Sequence, residues 1–573
     1  PVMFLQGFVG SLFREFGVVV ASAVLISALV SLTITPVLNV VLHRKNAEHG
    51  WFYTKTEPFF EAMETGYMRL LQLFLKVRWV AWVFIGLCMA MAYFIFKNLQ
   101  SELAPLEDKN SIRFTFTAAE GASFEFTRNL ADKLTEFLHD SIPEKEFVFN
   151  AVPGFSSANA FNSGFARVGL IPASERKRSQ DEITQELNKK LKRFNNARIF
   201  AVQEQTISVG IGARSSLPVQ FIVQNLDFNK IKEVLPTFLE EARKDKTFQN
   251  VDINLKFNKP EIIITVDRIK AKDLGLTTAD VSETIQAAFS GRRMAYFIMN
   301  GMQYQVIAQV EREDRSSPVD IEKLYVRNKR GESIPLISVI NIEESSSPPA
   351  LYHYNRYKSA TVSASLAEGK TIGDGVEAMK AIADKLLDES FNTSLGGASR
   401  DYSESSSNTT FAFLLALVLI YLVLAAQFES FKDPFIIMLT VPLAIAGALL
   451  SLWVFKQTIN IFSQIGMIML IGLVTKNGIL IVEFANQKAE EGMNTLAAVT
   501  EAATQRLRPI LMTSLATALG ALPIAMSLGA ASTSRKSLGI VIVGGIMFSL
   551  ILTLFVIPGV YSYISKHKKS THE

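Results

Sequence analysis

Seven apolar runs constrain this chain more than any other feature: residues 17–41, 80–96, 411–426, 434–455, 461–485, 509–528 and 538–563. Each is long enough to cross, or nearly cross, a hydrocarbon layer about 30 Å thick at about 1.5 Å of helix rise per residue. In that layer a backbone must satisfy its own hydrogen bonds, so helices are expected. Of the 573 residues, 49% are hydrophobic and 20% are charged, and residues 100–400 hold most of the charge. The chain is therefore expected to be a membrane protein with one large region outside the bilayer. Its net charge of +4 is small for the length and carries no nucleic-acid signal. Cys88 is the one cysteine, which excludes an intrachain disulfide and a cysteine-based metal site.

Basic residues near the run ends set the orientation. His43, Arg44 and Lys45 follow the first run, and Lys76 and Arg78 precede the second. Both sets put 43–78 inside and 100–400 outside. Lys488, Arg506, Arg508 and the tail residues Lys566, His567, Lys568 and Lys569 then fall inside, with Arg535 and Lys536 dissenting. Residues 50–75 space their aromatic and aliphatic side chains as a helix does. They read either as an amphipathic helix on the inner membrane surface or as one packed on the bundle.

The outside region repeats a unit. Alternating and helical stretches over 111–205 give the order β-α-β-β-α-β. A second copy starts at 218–257 and resumes at 358–403, with its last strand near 399–403. Between them, 260–348 is a strand-rich insertion with a helix over 278–289.

Lys476 is the unexpected charge. It lies in the run 461–485, about ten residues, roughly 15 Å, from the nearer end. Its stem is too short to reach the headgroups, so it should face a protein interior or a water-filled cavity and have a partner. Arg506 and Thr513 are two helical turns apart and should point the same way. Each also has an ordinary reading: an interfacial arginine, and a hydroxyl bonded back to its own helix. No aspartate occurs in any of the seven runs. Residues 17–36 and 539–558 match at an offset of 522, with Gly17/Gly539, Ser27/Ser549 and Pro36/Pro558 in register. The match suggests a duplicated architecture, the other reading being coincidence between two apolar helices.

Four runs carry a family likeness: LFREFGVVVASAVLISALVSLTITP (12–36), LAAQFESFKDPFIIMLTVPLAIAGA (424–448), IGLVTKNGILIVEFA (471–485) and RLRPILMTSLATALGALPIA (506–525). With SELAPLEDK (101–109), they make the chain resemble the C-terminal half of a resistance–nodulation–division efflux pump of the hydrophobe/amphiphile multidrug branch. The resemblance implies an α+β membrane protein: a transmembrane helix bundle with periplasmic ferredoxin-like (βαβ) porter subdomains and an inserted docking subdomain. It implies 1–42 as the last span of a first half, 43–76 as a cytoplasmic amphipathic helix and 77–100 as a span. Porter subdomains would occupy 101–215 and 216–257 with 349–405, the docking subdomain 258–348, a five-helix bundle 406–565 and a cytoplasmic tail 566–573. The seven spans would be the sixth to twelfth of twelve, and the chain a fragment of a longer one.

The same resemblance implies a homotrimer in a Gram-negative inner membrane, working with a periplasmic adaptor and an outer-membrane channel. It would export amphiphilic small molecules on the proton gradient, with no cofactor. The proton relay would include Lys476 with Asn477 beside it, Arg506 and Thr513, and its paired aspartates would lie outside this chain. The substrate loop would be 151–167, with Gly154 and Gly164 as flexible points and Phe155, Phe161 and Arg167 as lining. Asn150, Ser157 and Arg167 stand where such relatives often carry aromatics, which points to a more polar or anionic amphiphile. Two alternatives stay open: a non-transporting scaffold or sensor, and a heavy-metal pump. The metal pump is disfavoured by the lack of methionine between Met91 and Met294. No nucleophile triad, metal-ligand spacing or phosphate loop suggests an enzyme.

Overall fold

The computed structural model describes residue 3 and residues 7–42, 51–154, 161–204, 206–207, 217–348, 350–527 and 533–565. The chain divides into two units, one of residues 1–117, 124–254 and 353–573, the other of residues 118–123 and 255–352. The loop residues Phe155 and Ser157 and the basic clusters 43–45 and 566–569 lie outside the described residues.

The first unit opens with three helices: α1 (Gly7–Leu42), α2 (Trp51–Lys76) and α3 (Val80–Asn98). The most apolar stretch of α1 has none of its residues buried. One face of α2 packs on the bundle, with Tyr67, Leu71 and Leu75 buried, while Phe59, Leu70 and Leu73 are exposed. The Tyr67 hydroxyl donates to the carbonyl of Leu554 at 2.6 Å. That carbonyl lies four residues before Pro558, which has no N–H to give it. The tyrosine thus supplies the donor the proline withholds.

Next come β1 (Ser111–Ala118), α4 (Phe124–Ser141), β2 (Lys145–Ala151), β3 (Ser163–Leu170), α5 (Gln180–Leu191) and β4 (Ala197–Gln203). They form a sheet in the order β2-β3-β1-β4. Alternation drives it: Ile112, Phe114 and Phe116 are fully buried on one face, while their neighbours point to the other. Ser179 starts α5 through a capping box with Glu182.

A second sheet begins with β5 (Val219–Asn225), α6 (Phe228–Lys244) and β6 (Phe248–Ile253). The chain then enters the second unit: β7 (Lys259–Val266), α7 (Arg268–Asp273), α8 (Thr278–Ile285), β8 (Arg292–Met299), β9 (Met302–Ala308), β10 (Tyr325–Arg327), β11 (Ser333–Pro335) and β12 (Ile340–Ser347). Its core is small, built on Ala271, Val281, Leu336 and Val339. The hairpin β8–β9 turns through Asn300 and Gly301, both at positive φ, as a two-residue hairpin turn requires.

The second sheet resumes with β13 (Tyr352–Tyr354), β14 (Tyr357–Leu366), α9 (Ile372–Leu386) and β15 (Asn392–Leu395), in the order β13-β14-β5-β15 with β6 also on β14. The strand expected near 399–403 is corrected here. The strand is β15, and 399–403 belong to α10 (Gly397–Phe428). Gly397, at φ 48°, turns the chain out of the sheet. The polar segment after it is then held helical by pairs such as Arg400 on Glu404 at 2.7 Å.

The run 434–455 is also interrupted, into α11 (Lys432–Met438) and α12 (Thr440–Val454). Pro442 removes the N–H that Met438 would accept and crowds that carbonyl. The chain ends with α13 (Ile461–Glu490), α14 (Thr495–Gln505), α15 (Leu507–Ala525) and α16 (Thr533–Ile564). Among the described residues seven helical segments are long and apolar enough to cross a membrane: α1, α3, α10, α11 with α12, α13, α15 and α16. Glycines let α12 and α16 approach closely. A methyl on Gly447 would lie 2.8 Å from the Phe548 ring, and one on Gly545 3.2 Å from the Ala444 carbonyl.

The segment 100–110 joins α3 to β1 and is bonded at almost every step. Ile459 N–H donates to the Gln100 carbonyl at 2.8 Å, Glu102 N–H to Ile459 at 2.9 Å and Ile461 N–H to Leu103 at 3.1 Å. Gly373 N–H, in α9, donates to Ser101 at 3.3 Å. The buried Glu107 carboxylate accepts from Ser534 N–H at 3.3 Å, at the start of α16. Asp108 accepts from Gln180 N–H at 3.2 Å, at the start of α5. One short linker thus touches two membrane helices and both sheet layers of its unit.

Candidate functional site

The site is built on α13. Asn460 caps its N-terminus, accepting from Phe462 and Ser463 N–H, each at 3.1 Å, while Ser463 Oγ accepts from Asn460 N–H at 2.9 Å. The first fifteen residues of the helix are uncharged, and Lys476 follows. It is half-buried, on an open stripe with the exposed Gly472, Glu483 and Gln487. Its Nζ donates to Thr517 Oγ1 at 3.2 Å and to the Thr513 carbonyl at 3.5 Å. Thr517 Oγ1 donates to that same carbonyl at 2.7 Å. Among the described residues the ammonium therefore meets a hydroxyl and a carbonyl and no carboxylate.

Asn477 points the other way. It is 1% exposed and exchanges hydrogen bonds with the buried Ser514 at 3.2 and 3.3 Å. The α13–α15 contact thus has a sealed polar pair on one side and the Lys476–Thr517 pair on the other. Behind it Gly478 allows close packing: a methyl there would lie 3.3 Å from both Ile437 and Thr440.

Arg506 and Thr513 are not brought to one point. Arg506 is the junction residue between α14 and α15, and its guanidinium lies over the Phe484 ring at 4.4 Å. Phe484 is eight residues beyond Lys476, about 12 Å along the helix. Among the described residues the buried Arg506 Nε has no hydrogen-bond partner. The Thr513 hydroxyl bonds back to Ile510 at 3.3 Å, and its carbonyl, not its hydroxyl, meets Lys476. Glu483 is exposed and accepts from Gln487 at 3.1 Å.

Sequence reasoning missed two residues. Thr517 lies one turn beyond Thr513, a spacing that places both on one face of α15. Arg508 is more than an interfacial charge: it pairs with Glu57 at 3.0 Å and Glu64 at 2.5 Å and lies 5.3 Å from the Phe60 ring. It ties the start of α15 to α2.

The candidate substrate loop divides between loop and strand. Gly154 N–H donates to Ser163 at 3.1 Å, closing the loop at its base. Gly164 belongs to β3 and is not a loop residue. A methyl there would lie 2.8 Å from the Ala151 carbonyl and collide with Phe116, so this glycine serves close packing rather than flexing. Phe161 is 53% exposed and meets Phe124 edge-on at 6.4 Å. Asn150 and Arg167 lie on opposite faces of the sheet: Asn150 donates to Thr135 of α4 at 2.6 Å, and Arg167 to Ser111 at 2.8 Å.

Comparison with known proteins gives a consistent picture. The model of the AcrB/AcrD/AcrF family matches residues 1–565. A protein of Haemophilus influenzae described as an uncharacterized transporter is 33% identical over 579 residues, covering 99% of this chain and 55% of that protein. The multidrug resistance protein MdtC of Proteus mirabilis is 29% identical over 98% of this chain and 54% of its own length. MdtC of Photorhabdus laumondii subsp. laumondii is also 29% identical, with the same coverage. The chain spans about half the length of the curated relatives it matches. It belongs to the AcrB/AcrD/AcrF family, whose members are transporters and not enzymes.

Proposed function

We propose that this chain supplies the cationic side of the proton relay in an inner-membrane efflux transporter that exports amphiphilic small molecules. The observation that carries the reading is Lys476, in mid-span with a hydroxyl and a carbonyl as its contacts among the described residues. A cation there needs a counterion. In this reading, carboxylates from a segment outside these 573 residues face the open stripe of α13. The seven spans then correspond to the sixth through twelfth of twelve. When a proton neutralises a carboxylate, the ammonium loses its partner and shifts. The rigid helices α13 and α15 carry that shift outward. The two sheets are the porter subdomains, the second unit is the docking subdomain, and the assembly is a trimer with an adaptor and an outer-membrane channel. The multidrug names of the relatives support small-molecule cargo.

The test replaces Lys476 in the full-length protein, reconstituted in liposomes with an imposed pH gradient and a fluorescent amphiphile as cargo. Lys476→Met should reduce gradient-driven efflux by about tenfold or more while the oligomer survives on size exclusion. Lys476→Arg, which keeps the charge but not the point geometry, should restore little of it. Gradient-driven efflux in Lys476→Met at more than about half the parent rate would refute the relay and leave the scaffold reading standing.

A further inference from the structure

We infer that the junction of the linker 100–110 with the start of α13 is a proton-sensitive joint, closed while the Glu102 carboxyl holds a proton and opening when that proton leaves to water. The inference does not rest on the transport reading.

Main-chain bonds make the joint. The linker and the residues that enter α13 run side by side in parallel, bridged at Ser101 and Ile459. Ile459 N–H donates to Gln100, Glu102 N–H to Ile459 and Ile461 N–H to Leu103. One acidic side chain belongs to this ladder. Glu102 Oε1 accepts from the Thr458 hydroxyl at 2.5 Å. Thr458 Oγ1 in turn accepts from Asn460 Nδ2 at 3.3 Å, and the same amide donates to Ser537 Oγ at 3.0 Å. Asn460 and Ser537 are fully buried. Behind Glu102 there is thus a sealed polar contact between α13 and α16. In front of that contact Glu102 is only half-buried, and its Oε2 has no partner among the described residues. A proton has a way out to water there.

Among the described residues no cation compensates the carboxylate. Lys97 of α3, Lys456 before α13, and Arg535 and Lys536 of α16 lie on the elements that meet here, as do the acids Glu107 of the linker and Asp374 of α9. None of them pairs with Glu102 or acts on its charge. Glu102 lies outside every spanning helix. Burial holds its carboxyl above the ordinary value of 4.5, with the Thr458 bond opposing. In the open joint the group meets water and returns to that ordinary value, so the closed joint binds the proton more tightly than the open one. Closure is therefore favoured at acid pH and is lost as pH rises from the ordinary value through the raised one. Opening frees the N-terminal end of α13 while Glu107 still holds α16 at Ser534. One proton thus decides whether the two helices share a pin.

The test is hydrogen exchange of the full-length protein in detergent from about pH 5 to about pH 8, read at the Glu102, Ile459 and Ile461 amides and corrected for intrinsic rates. Opening should increase with pH, by up to about tenfold per unit, and then level off. Glu102→Gln, neutral throughout, should stay at the parent's acid level at every pH. Thr458→Val keeps the side-chain shape and removes the donor. It should raise opening about threefold or more at the upper end and less at the acid end, where the bond is no longer charge-assisted. This second variant decides the matter if Glu102→Gln does not fold. The Glu144–Arg178 pair loosens its sheet in the opposite direction, on acidification, so a general response of the fold to pH does not imitate the joint. Opening that is flat with pH in the parent overturns the inference, as does the same rise in Glu102→Gln or an equal effect of Thr458→Val at both ends. The pH response in a protein that does not pump refutes the transport reading alone; pumping without the response refutes this inference alone.

Discussion

Replacing Gly544 with alanine tests the contact of α12 with α16. A methyl on Gly544 collides with the Ser451 hydroxyl and lies 2.5 Å from Ser451 Cβ. The hydroxyl can rotate away, but it then gives up its bond to the Gly447 carbonyl at 2.8 Å. The Cβ cannot rotate, so the two helices must part. Overpacking of this kind costs about 1–3 kcal/mol, and a hydrogen bond lost in a helix bundle adds about 0.6 kcal/mol. The sum, about 1.6–3.6 kcal/mol, corresponds to a fall in the unfolding midpoint of roughly 3–14 °C for a bundle of this size. Cys88 provides the readout, being the chain's one cysteine and 1% exposed. A thiol-reactive fluorogenic maleimide reports its exposure during a temperature ramp in detergent. Ser451→Gly should rescue Gly544→Ala, because it removes the Cβ. Ser451→Ala should not, because it keeps it. A midpoint within about 1 °C of the parent for Gly544→Ala, or equal rescue by both partners, would refute the steric account.

Two further outcomes follow from other contacts. Tyr67→Phe leaves the Leu554 carbonyl, unserved by Pro558, without its donor and should cost about 1–3 kcal/mol in the same thermal assay; adding Pro558→Ala, which restores the helix donor, should return part of that stability. The Arg178 hydrogen bond holds the Glu144 carboxyl below its ordinary value of 4.5, against the opposing effect of burial. Because the folded value is depressed, the stability from this pair is full above the unfolded value and is lost as pH falls through the folded one. Hydrogen exchange over 111–203 should show the first sheet loosening on acidification, and Arg178→Gln should move that loss to higher pH; an unchanged acid profile would show the pair contributes nothing.

The membrane helices were legible because residues 461–475 and their counterparts exclude charge, a constraint that acts on composition and needs no tertiary information. The N-terminal part of α10 was not, because SRDYSESSSNTT has no apolar period and its helicity rests on pairs such as Arg400–Glu404 and on packing. Lys476 could be singled out from its depth alone, but its contacts could not. Which hydroxyl it meets depends on the rotation of α15 about its axis, and that is set by Ser514 against Asn477. For Arg506 the same holds: its spacing from Thr513 could be counted, but its place over the Phe484 ring could not. On the first sheet, period-two alternation sorts each strand into two faces. Assigning Asn150 and Arg167 to opposite faces also needed the register across 152–162, which strand patterns do not encode.

The linker 100–110 has a mechanical consequence. It grips the N-terminal end of α13 through main-chain bonds at Ile459 and Ile461, and the N-terminal end of α16 through the Glu107 carboxylate on Ser534. Two neighbouring helices are thereby pinned to one peptide at the same depth. Either may tilt or roll about its pinned end at little cost, but neither can slide past the other along the membrane normal without breaking a bond to that peptide. A displacement of either helix along its axis therefore loads that peptide first. The same peptide is bonded to the start of α5 through Asp108 and to α9 through Ser101, so that load falls on the two sheet layers as well.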